Sequence, residues 1–379
     1  MGVFLLFFYV ILTAVIIWRA SDGFEAAASY LGRNMTEGVK GATINAVASS
    51  MPELLATFFF LFYLGDEDGF SGGIGTTAGS AIFNGMIIPA VVIFVVIFSG
   101  VAKNIVVSRK VVLRDGIALI LAEIILITMI SGGSLHWGHG LILMMVYVVY
   151  AAYTLGSMKK KDRDEVSECH LEINKIPFLN SLISLNLASL VIGKNKINTS
   201  NAWTLLILST LVIATACLLL VYSIEQMGHY YDVPIMFLAI IIASAASSVP
   251  DTILSMRDAK KGNYDDAVSN ALGSNIFDIS FALGLPLFLY TLIYSPIHMS
   301  PEIIMQSGEL RMFLLILTVI AFAIYLFNKK LGLKTAIALI SIYFIFLIYI
   351  IGRSEGVEIT NTIAYYLNKV VELISVNWI

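Results

Sequence analysis

Residues 238–286 read LAIIIASAASSVPDTILSMRDAKKGNYDDAVSNALGSNIFDISFALGLP. Two apolar runs flank a short charged loop, and both runs carry polar residues that a lipid-facing helix would not tolerate. The same order of residues occurs once more. Residues 41–62 read GATINAVASSMPELLATFFFLF, and after a loop residues 75–90 read GTTAGSAIFNGMIIPA. Each segment runs small-Ser-Ser-x-Pro-acid, then a loop, then Gly-Ser-x-Ile-Phe followed by Asn or Asp. Glu53 and Asp251 stand 198 positions apart, and Asn84 and Asp278 stand 194 apart. The four-residue difference fits the extra DEDG between Gly65 and Phe70.

The rest of the chain sets the medium in which these repeats work. Its 379 residues are 58% hydrophobic and only 13% charged, about half the usual charged share. Mean hydropathy is +0.88. A disordered chain, a coiled coil, a collagen and a disulfide-rich secreted module are excluded, and so few charges cannot cover an ordinary soluble enzyme. The net charge of −3 offers no basic patch to a nucleic acid. Cys169 and Cys217 form no metal-ligand spacing and require no disulfide. An all-α polytopic membrane protein remains.

About 20 apolar residues cross a bilayer, and ten such runs are predicted: 2–20, 38–64, 72–100, 112–132, 137–157, 202–225, 233–257, 264–294, 310–328 and 333–352. The first has no charged leading region and ends at Trp18 and Arg19, so it is expected to be retained rather than cleaved. Counting Lys and Arg in alternate loops orients the chain. The loops 19–40, 103–114, 159–196, 257–261 and 329–334 hold 20 of the 23 basic residues, and the opposite side holds only Arg311, Arg353 and Lys369. This predicts five cytoplasmic loops and both termini outside, most simply in the plasma membrane.

Five spans precede the central loop and five follow it. The expected organisation is therefore a first five-helix repeat over 1–157, with its motif-bearing part at 38–100. A cytoplasmic loop follows over 158–201, then a second five-helix repeat over 202–352 with its motif at 233–294. An outer amphipathic segment over 353–379 closes the chain. The two motifs run through the membrane in opposite directions. Inverted-topology repeats of this kind build secondary transporters, with a shared site near the midplane on broken helices. Pro52 and Pro250 are the expected breakers, each removing one backbone donor.

Glu53, Asp251 and Asp278 lie inside apolar spans that hold no Lys or Arg near their middles. An ionised acid there needs a partner, and a bound cation supplies it most simply. Ser50 and Glu53 share the i,i+3 spacing of Ser248 and Asp251. Ser80 and Asn84 share the i,i+4 spacing of Ser274 and Asp278. Such pairs lie on one helix face. All of these groups are oxygen donors, without His or Cys, which suits calcium, magnesium or alkali ions over zinc or copper.

Other residues draw structural readings. Asn45 and Asn270 either line the pathway or bond between helices. Glu123 lies within the fourth span with no counterpart in the second half and stays outside the predicted site. Asp66, Glu67 and Asp68 read as a solvated outer turn. His136, Trp137 and His139 read as interface anchors, and Asp265 with Asp266 as acids at a helix N-terminus. In the central loop, KKKDRDE and the mildly apolar IPFLNSLISLNLASLVIG read as a connector with an interfacial helix.

The segments GATINAVASSMPEL with GSAIFN, and SSVPDTILSMRDAKKGNYDDAVSNALGSNIFDI, resemble the two alpha repeats of the calcium/cation antiporter superfamily. The resemblance implies sodium/calcium exchange by an antiporter and not an enzyme. It implies no resident cofactor, no nucleic-acid partner and a monomer in the bilayer, with calcium and monovalent cations as cargo. Glu53 and Asp251 would be the central calcium ligands. Ser50, Ser80, Ser248 and Ser274 would flank them and contact sodium, with Ser49 and Ser247 in the same set. Asn84 and Asp278 would complete the middle, and backbone carbonyls near Ala46 and Ser244 would serve sodium. Glu in the first repeat, Asp in the second, and GSNIFD are most similar to the potassium-dependent branch, where the acid matching Asp278 is linked to potassium use. Other members also carry an acid there, so the resemblance leaves potassium open. Ala48 and Ala246 replace the glycine common before these serines, and Asn270 stands where a small residue is common. Proton-coupled calcium antiport is the alternative within the superfamily, although its members usually keep Glu in both repeats. An intramembrane aspartyl protease is a remote third reading, because its Gly-x-Gly-Asp signature is absent.

Overall fold

The computed structural model describes residues 3–33, 41–156, 178–193, 196–328 and 330–374. Helix α1 (Val3–Leu31) opens the first half. A π-helical turn (Gly41–Asn45), α2 (Ala46–Ser49), α3 (Met51–Phe59) and a second π turn (Phe60–Leu64) follow as one interrupted rod. Then come α4 (Asp66–Phe98), α5 (Arg109–Met129) and α6 (Trp137–Gly156). The central segment contributes two short helices, α7 (Phe178–Ile183) and α8 (Leu187–Ile192). The second half repeats the scheme, from α9 (Thr199–Tyr231) to α10 (Ile235–Leu238), a π turn (Ala239–Ala243), α11 (Ser244–Ser247) and α12 (Val249–Lys260). It continues through α13 (Tyr264–Phe277), a π turn (Asp278–Ala282), α14 (Leu283–Ile293), α15 (Pro301–Phe327) and α16 (Leu333–Ser354), and α17 (Glu358–Ile374) ends it.

Among the described residues eight helices are long and apolar enough to cross a membrane, and nine if the bent rod through Ala42–Leu64 is one span. The remaining predicted span, 112–132, corresponds to α5. It is 21 residues long but carries Arg114, Asp115 and Glu123, which lower its hydropathy below that of its neighbours. Its polar groups are turned inward, as Asp115 and Glu123 are fully buried. Large apolar side chains such as Phe4, Ile207, Leu211, Ile345 and Ile348 stand exposed on the helix sides. In water such an extent would be a liability; in a bilayer it is lipid contact. The chain is a multi-pass membrane protein.

Pairing between the halves follows the predicted alternation of loops. At one end of the bundle, Ile105 and Leu331 exchange backbone hydrogen bonds of 2.9 Å. Asp265 and Asp266 lie in the first turn of α13, as expected, and Asp265 also accepts from the Ser108 amide at 2.7 Å there, which ties α13 to the start of α5. Arg257 also reaches back to Asp22 and Glu25 of α1 at that end. At the other end, β1 (Ser134–Leu135) pairs antiparallel with β2 (Ile297–His298). Glu67 accepts there from the Ser300 amide at 2.6 Å. Asp66, Glu67 and Asp68 lie in the first turn of α4 rather than in a free turn, where acids favour the positive end of the helix dipole.

Two cores result. One joins α1 and α9 along their length and takes in α8 and one side of α3. The other gathers α4, α5, α6 and α13–α16. Lipid tails are as apolar as leucine, so helices here associate through close packing of small residues. Gly79 on α4 and Gly273 on α13 occupy the same place in the two repeats. A Cβ on Gly79 would stand 2.8 Å from the carbonyl oxygen of Ile240, and one on Gly273 would stand 2.9 Å from the carbonyl oxygen of Ala42. Each glycine presses its helix against the π turn of the opposite repeat, and the serine after it is thereby delivered to the interface.

The central segment differs from a single interfacial helix. Leu187 and Ile192 of α8 are buried against the α1–α9 core, and Arg19 donates from Nε to the Ser184 carbonyl at 2.8 Å. The KKKDRDE run and Cys169 lie outside the described residues. At the end of the chain α17 lays Leu367, Val371 and Ile374 over Ile127 and Met312.

Candidate functional site

Proline shapes both site helices in the same way. Pro52 and Pro250 occupy the first turn of α3 and α12, where their missing N–H costs nothing. The residue before each helix, Ser50 or Ser248, adopts φ −92°, ψ 10° or φ −80°, ψ 2°. The first rod bends by 45° at this point. The second does not bend as far; residues 235–260 continue as one span, so the expected break at Pro250 is a turn of altered pitch and not a kink. Glu53 and Asp251 each lie in the first helical turn after the proline, and both are fully buried.

The structure brings all four motif segments together. Ser80 of α4 sits at the centre. Its Oγ is 3.1 Å from Glu53 Oε1, 3.1 Å from Asp278 Oδ2 and 2.7 Å from Ser248 Oγ. Ser248 Oγ is also 3.3 Å from Glu53 Oε1. On the other side, Ser274 donates to Asp251 Oδ1 at 2.6 Å. Asn84 Nδ2 donates to Asp251 Oδ2 at 3.3 Å and lies 3.4 Å from Ser80 Oγ. Ser49 Oγ is 3.5 Å from both Ser274 Oγ and Asn270 Oδ1. In each repeat the Gly-Ser hydroxyl thus meets the acid of its own Pro-acid turn.

Proton counting defines what this cluster lacks. A hydroxyl carries one proton, so Ser80 donates to only one of its three neighbours at a time. Glu53 Oε2, Asp278 Oδ1 and Asn84 Oδ1 accept no hydrogen bond from the described residues. Ser50 Oγ is also buried without a hydrogen-bond partner. Among the described residues no basic side chain forms an ion pair with any of the three acids. Buried polar atoms are rarely left this way, and buried charges need compensation. What is missing is positive charge, as a cation or as protons.

No three His, Cys, Asp or Glu side chains among the described residues converge closely enough to hold a metal by themselves. The acids are interleaved with hydroxyls and an amide, so an ion here would be shared among carboxylate, serine and asparagine oxygens. The carbonyls of Ala46 and Ser244 are already engaged. Ala46 accepts from the Ser50 amide and Ser49 Oγ, and Ser244 accepts from the Ser248 amide and Ser247 Oγ. The Ser244 hydroxyl itself turns back to the Ile240 carbonyl. With Ala48 and Ala246 in place of glycine, these helices stay wound.

Several neighbours were only partly legible. Asn270 joins the site, bonding Ser255 at 3.1 Å with its amide while facing Ser49 with its oxygen. Asn45 contributes its carbonyl to Ser49. Cys217 on α9 approaches the Pro52 carbonyl at 3.5 Å, tying the α1–α9 pair to the site. Glu123 does have a counterpart by position. Thr318, 195 residues later, donates to it at 2.6 Å.

Similarities to known proteins agree with this arrangement. The family described as "Sodium/calcium exchanger protein" matches residues 5–156 and 201–352, one block in each half. "Sodium/potassium/calcium exchanger 1" of Gallus gallus is 34% identical over 144 residues, covering 37% of this chain and 21% of that protein. "Sodium/potassium/calcium exchanger 2" of Mus musculus is 34% identical over 140 residues, covering 36% and 20%. The alignments therefore span about a fifth of these relatives. Among solved structures, an H+/Ca2+ exchanger CAX superposes with a TM-score of 0.69 at 15% identity, over 97% of this chain and 87% of that one. The sodium-calcium exchanger NCX_Mj superposes with a TM-score of 0.55 at 19% identity, over 91% and 98%. These likenesses establish the inverted-repeat membrane fold, and the match across both halves places the chain in the sodium/calcium exchanger family.

Proposed function

We propose that this protein is a secondary antiporter that moves calcium across the membrane in exchange for sodium by alternating access. The observation that carries the reading is the hydrogen-bond cluster around Ser80. It joins Glu53 and Asn84 of one repeat to Ser248, Asp251 and Asp278 of the other and leaves carboxylate oxygens without donors. Oxygen-only ligands suit a hard divalent ion, and sodium competes for the same oxygens. Calcium and sodium are cargo, and no resident cofactor is required. Potassium is the proposed further cation, through Asp278, because the curated relatives that match are named sodium/potassium/calcium exchangers. The protein acts as a monomer in the plasma membrane, with the Lys- and Arg-rich end facing the cytoplasm and both termini outside.

The test is calcium uptake into liposomes containing the purified chain, driven by an imposed sodium gradient. Uptake that follows the sodium gradient supports the proposal. Uptake that ignores sodium and follows a pH gradient replaces it with proton-coupled calcium antiport, for which the same unpaired carboxylates would carry the protons.

A further inference from the structure

We propose that the chain binds a phosphate-type anion in a second site, the cavity beneath α17, with Arg311 as its buried cation. The cavity measures about 560 Å³ and lies between α15, the end of α5 and α17. Arg311, Lys369 and Glu372 are the charged residues that line it, with Ser131, Asn368 and Tyr365 among the polar ones.

Arg311 is the largest fully buried side chain among the described residues. Its guanidinium donates to the Ser307 carbonyl at 2.9 Å, the Ile127 carbonyl at 2.9 Å, Ser131 Oγ at 3.3 Å and Ser307 Oγ at 3.5 Å. Every one of these acceptors is neutral. Among the described residues no carboxylate lies within ion-pair distance of it, whereas two other largely buried arginines have one. Arg114 pairs with Asp115, and Arg353 pairs with Glu309. The last-turn carbonyls of α5 offer Arg311 only the partial charge of a helix C-terminus. A full positive charge held out of water without a counter-ion is costly.

The second cation, Lys369, is exposed on α17 and lies over the Tyr365 ring at 4.5 Å. Glu372 is not free either, since it also has an interaction partner. The cavity therefore presents two positive charges to one negative. Guanidinium with ammonium and hydroxyl donors is the set that recognises a phosphate group. Met305, which lines the cavity and is exposed, suits the tail of a phospholipid, so the phosphate can belong to an acidic lipid headgroup or be free in solution.

The experiment is thermal melting of the full chain in detergent, followed by tryptophan fluorescence. Three additions are titrated at matched ionic strength: short-chain phosphatidylglycerol, short-chain phosphatidylcholine and inorganic phosphate. A saturable rise with phosphatidylglycerol alone supports the site and assigns it to lipid. A rise with both phosphatidylglycerol and phosphate supports it and assigns it to any phosphate anion. Lys369→Gln, on an exposed position that folding does not need, should raise the half-saturating concentration at least about tenfold, or ~1.4 kcal/mol. Arg311→Gln should abolish the rise. The inference is overturned if no addition raises the melting point, if phosphatidylcholine acts equally, or if Lys369→Gln leaves the titration unchanged.

Discussion

Asn84 Nδ2 reaches Asp251 Oδ2 at 3.3 Å, although the two residues belong to opposite repeats. By position Asn84 corresponds to Asp278, so one half of the molecule supplies an amide where the other supplies a carboxyl group. The amide can donate to an acid across the interface; a carboxylate there would repel it. The substitution makes the pseudo-symmetric site chemically one-sided. Asp251 has two donors, Ser274 and Asn84, while Glu53 and Asp278 share Ser80, with Ser248 as a second donor to Glu53.

From this asymmetry the first prediction follows. Glu53→Gln and Asp251→Asn each remove a negative charge and a strong divalent-ion ligand, and both should abolish calcium flux while keeping the shape of the side chain. Asn84→Ala removes a hydrogen bond to a charged group, worth ~1.5–3 kcal/mol, so half-saturating calcium should rise about tenfold or more. Flux assays in liposomes, with detergent melting curves to verify folding, decide the matter. Near-normal exchange by either acid variant would sink the site.

Much of this was legible in the sequence, for a physical reason. The Ser-x-Pro-acid and Gly-Ser-x-Ile-Phe elements are dense in residues that are costly in a membrane, so their duplication stands out against an apolar background. Spacing within a helix is equally readable, but contacts between helices are not. The spacing puts Ser50 and Glu53 on one face; in the fold it is Ser80, 27 residues away, that meets Glu53. Nothing local announces the π turns at Gly41–Asn45 and Ala239–Ala243, because their extra residue per turn is set by what packs against them. In sequence the polar face of α5 is indistinguishable from part of an ordinary span. Its Arg114 and Asp115 find Tyr150 and Ser269 only once α6 and α13 are in place.

The second prediction concerns the glycine contacts. Gly79→Ala would place a methyl group 2.8 Å from the Ile240 carbonyl oxygen and 3.0 Å from Ser244 Cβ. The backbone cannot step aside as a flexible side chain would, so the α4 contact should open. Overpacking costs about 1–3 kcal/mol, and transport should fall with it because Ser80 is displaced. Gly85→Ala is the control, since its nearest neighbour would be Asn275 Nδ2 at 3.6 Å. Melting points that fall equally for both variants would refute the argument.

The third prediction compares two ion pairs. Asp115 is fully buried. It accepts from Arg114 at 2.5 and 2.8 Å, from Tyr150 at 3.0 Å and from Ser269 at 2.6 Å. Asp115→Ala leaves a mostly buried guanidinium without its acid and should cost ~3–5 kcal/mol. The Arg257 contacts to Asp22 and Glu25 are partly open to solvent, and exposed pairs contribute at most about 1 kcal/mol. Asp22→Ala should therefore melt within a few degrees of wild type while Asp115→Ala melts far lower. Melting curves that rank them the other way would mean that the α1–α12 contact, and not the α5–α13 contact, holds the bundle.

The last prediction is for Asp278. One of its oxygens faces Ser80 at 3.1 Å and the other has no partner. Glu53, Asp251 and Asp278 together carry three negative charges when ionised, and one calcium ion neutralises two. The third charge calls for a monovalent cation, which the proposed function assigns to potassium. Asp278→Asn supplies an amide that can donate to Ser80 or to Glu53 and removes the surplus charge. Sodium-driven calcium flux through wild type should therefore rise with potassium across a graded series, and the flux of Asp278→Asn should be retained in part and be flat across the same series. A flat wild-type response would show that Asp278 does not carry the surplus charge during transport, so that no potassium accompanies calcium. A variant that keeps the potassium response would place the potassium ligand elsewhere.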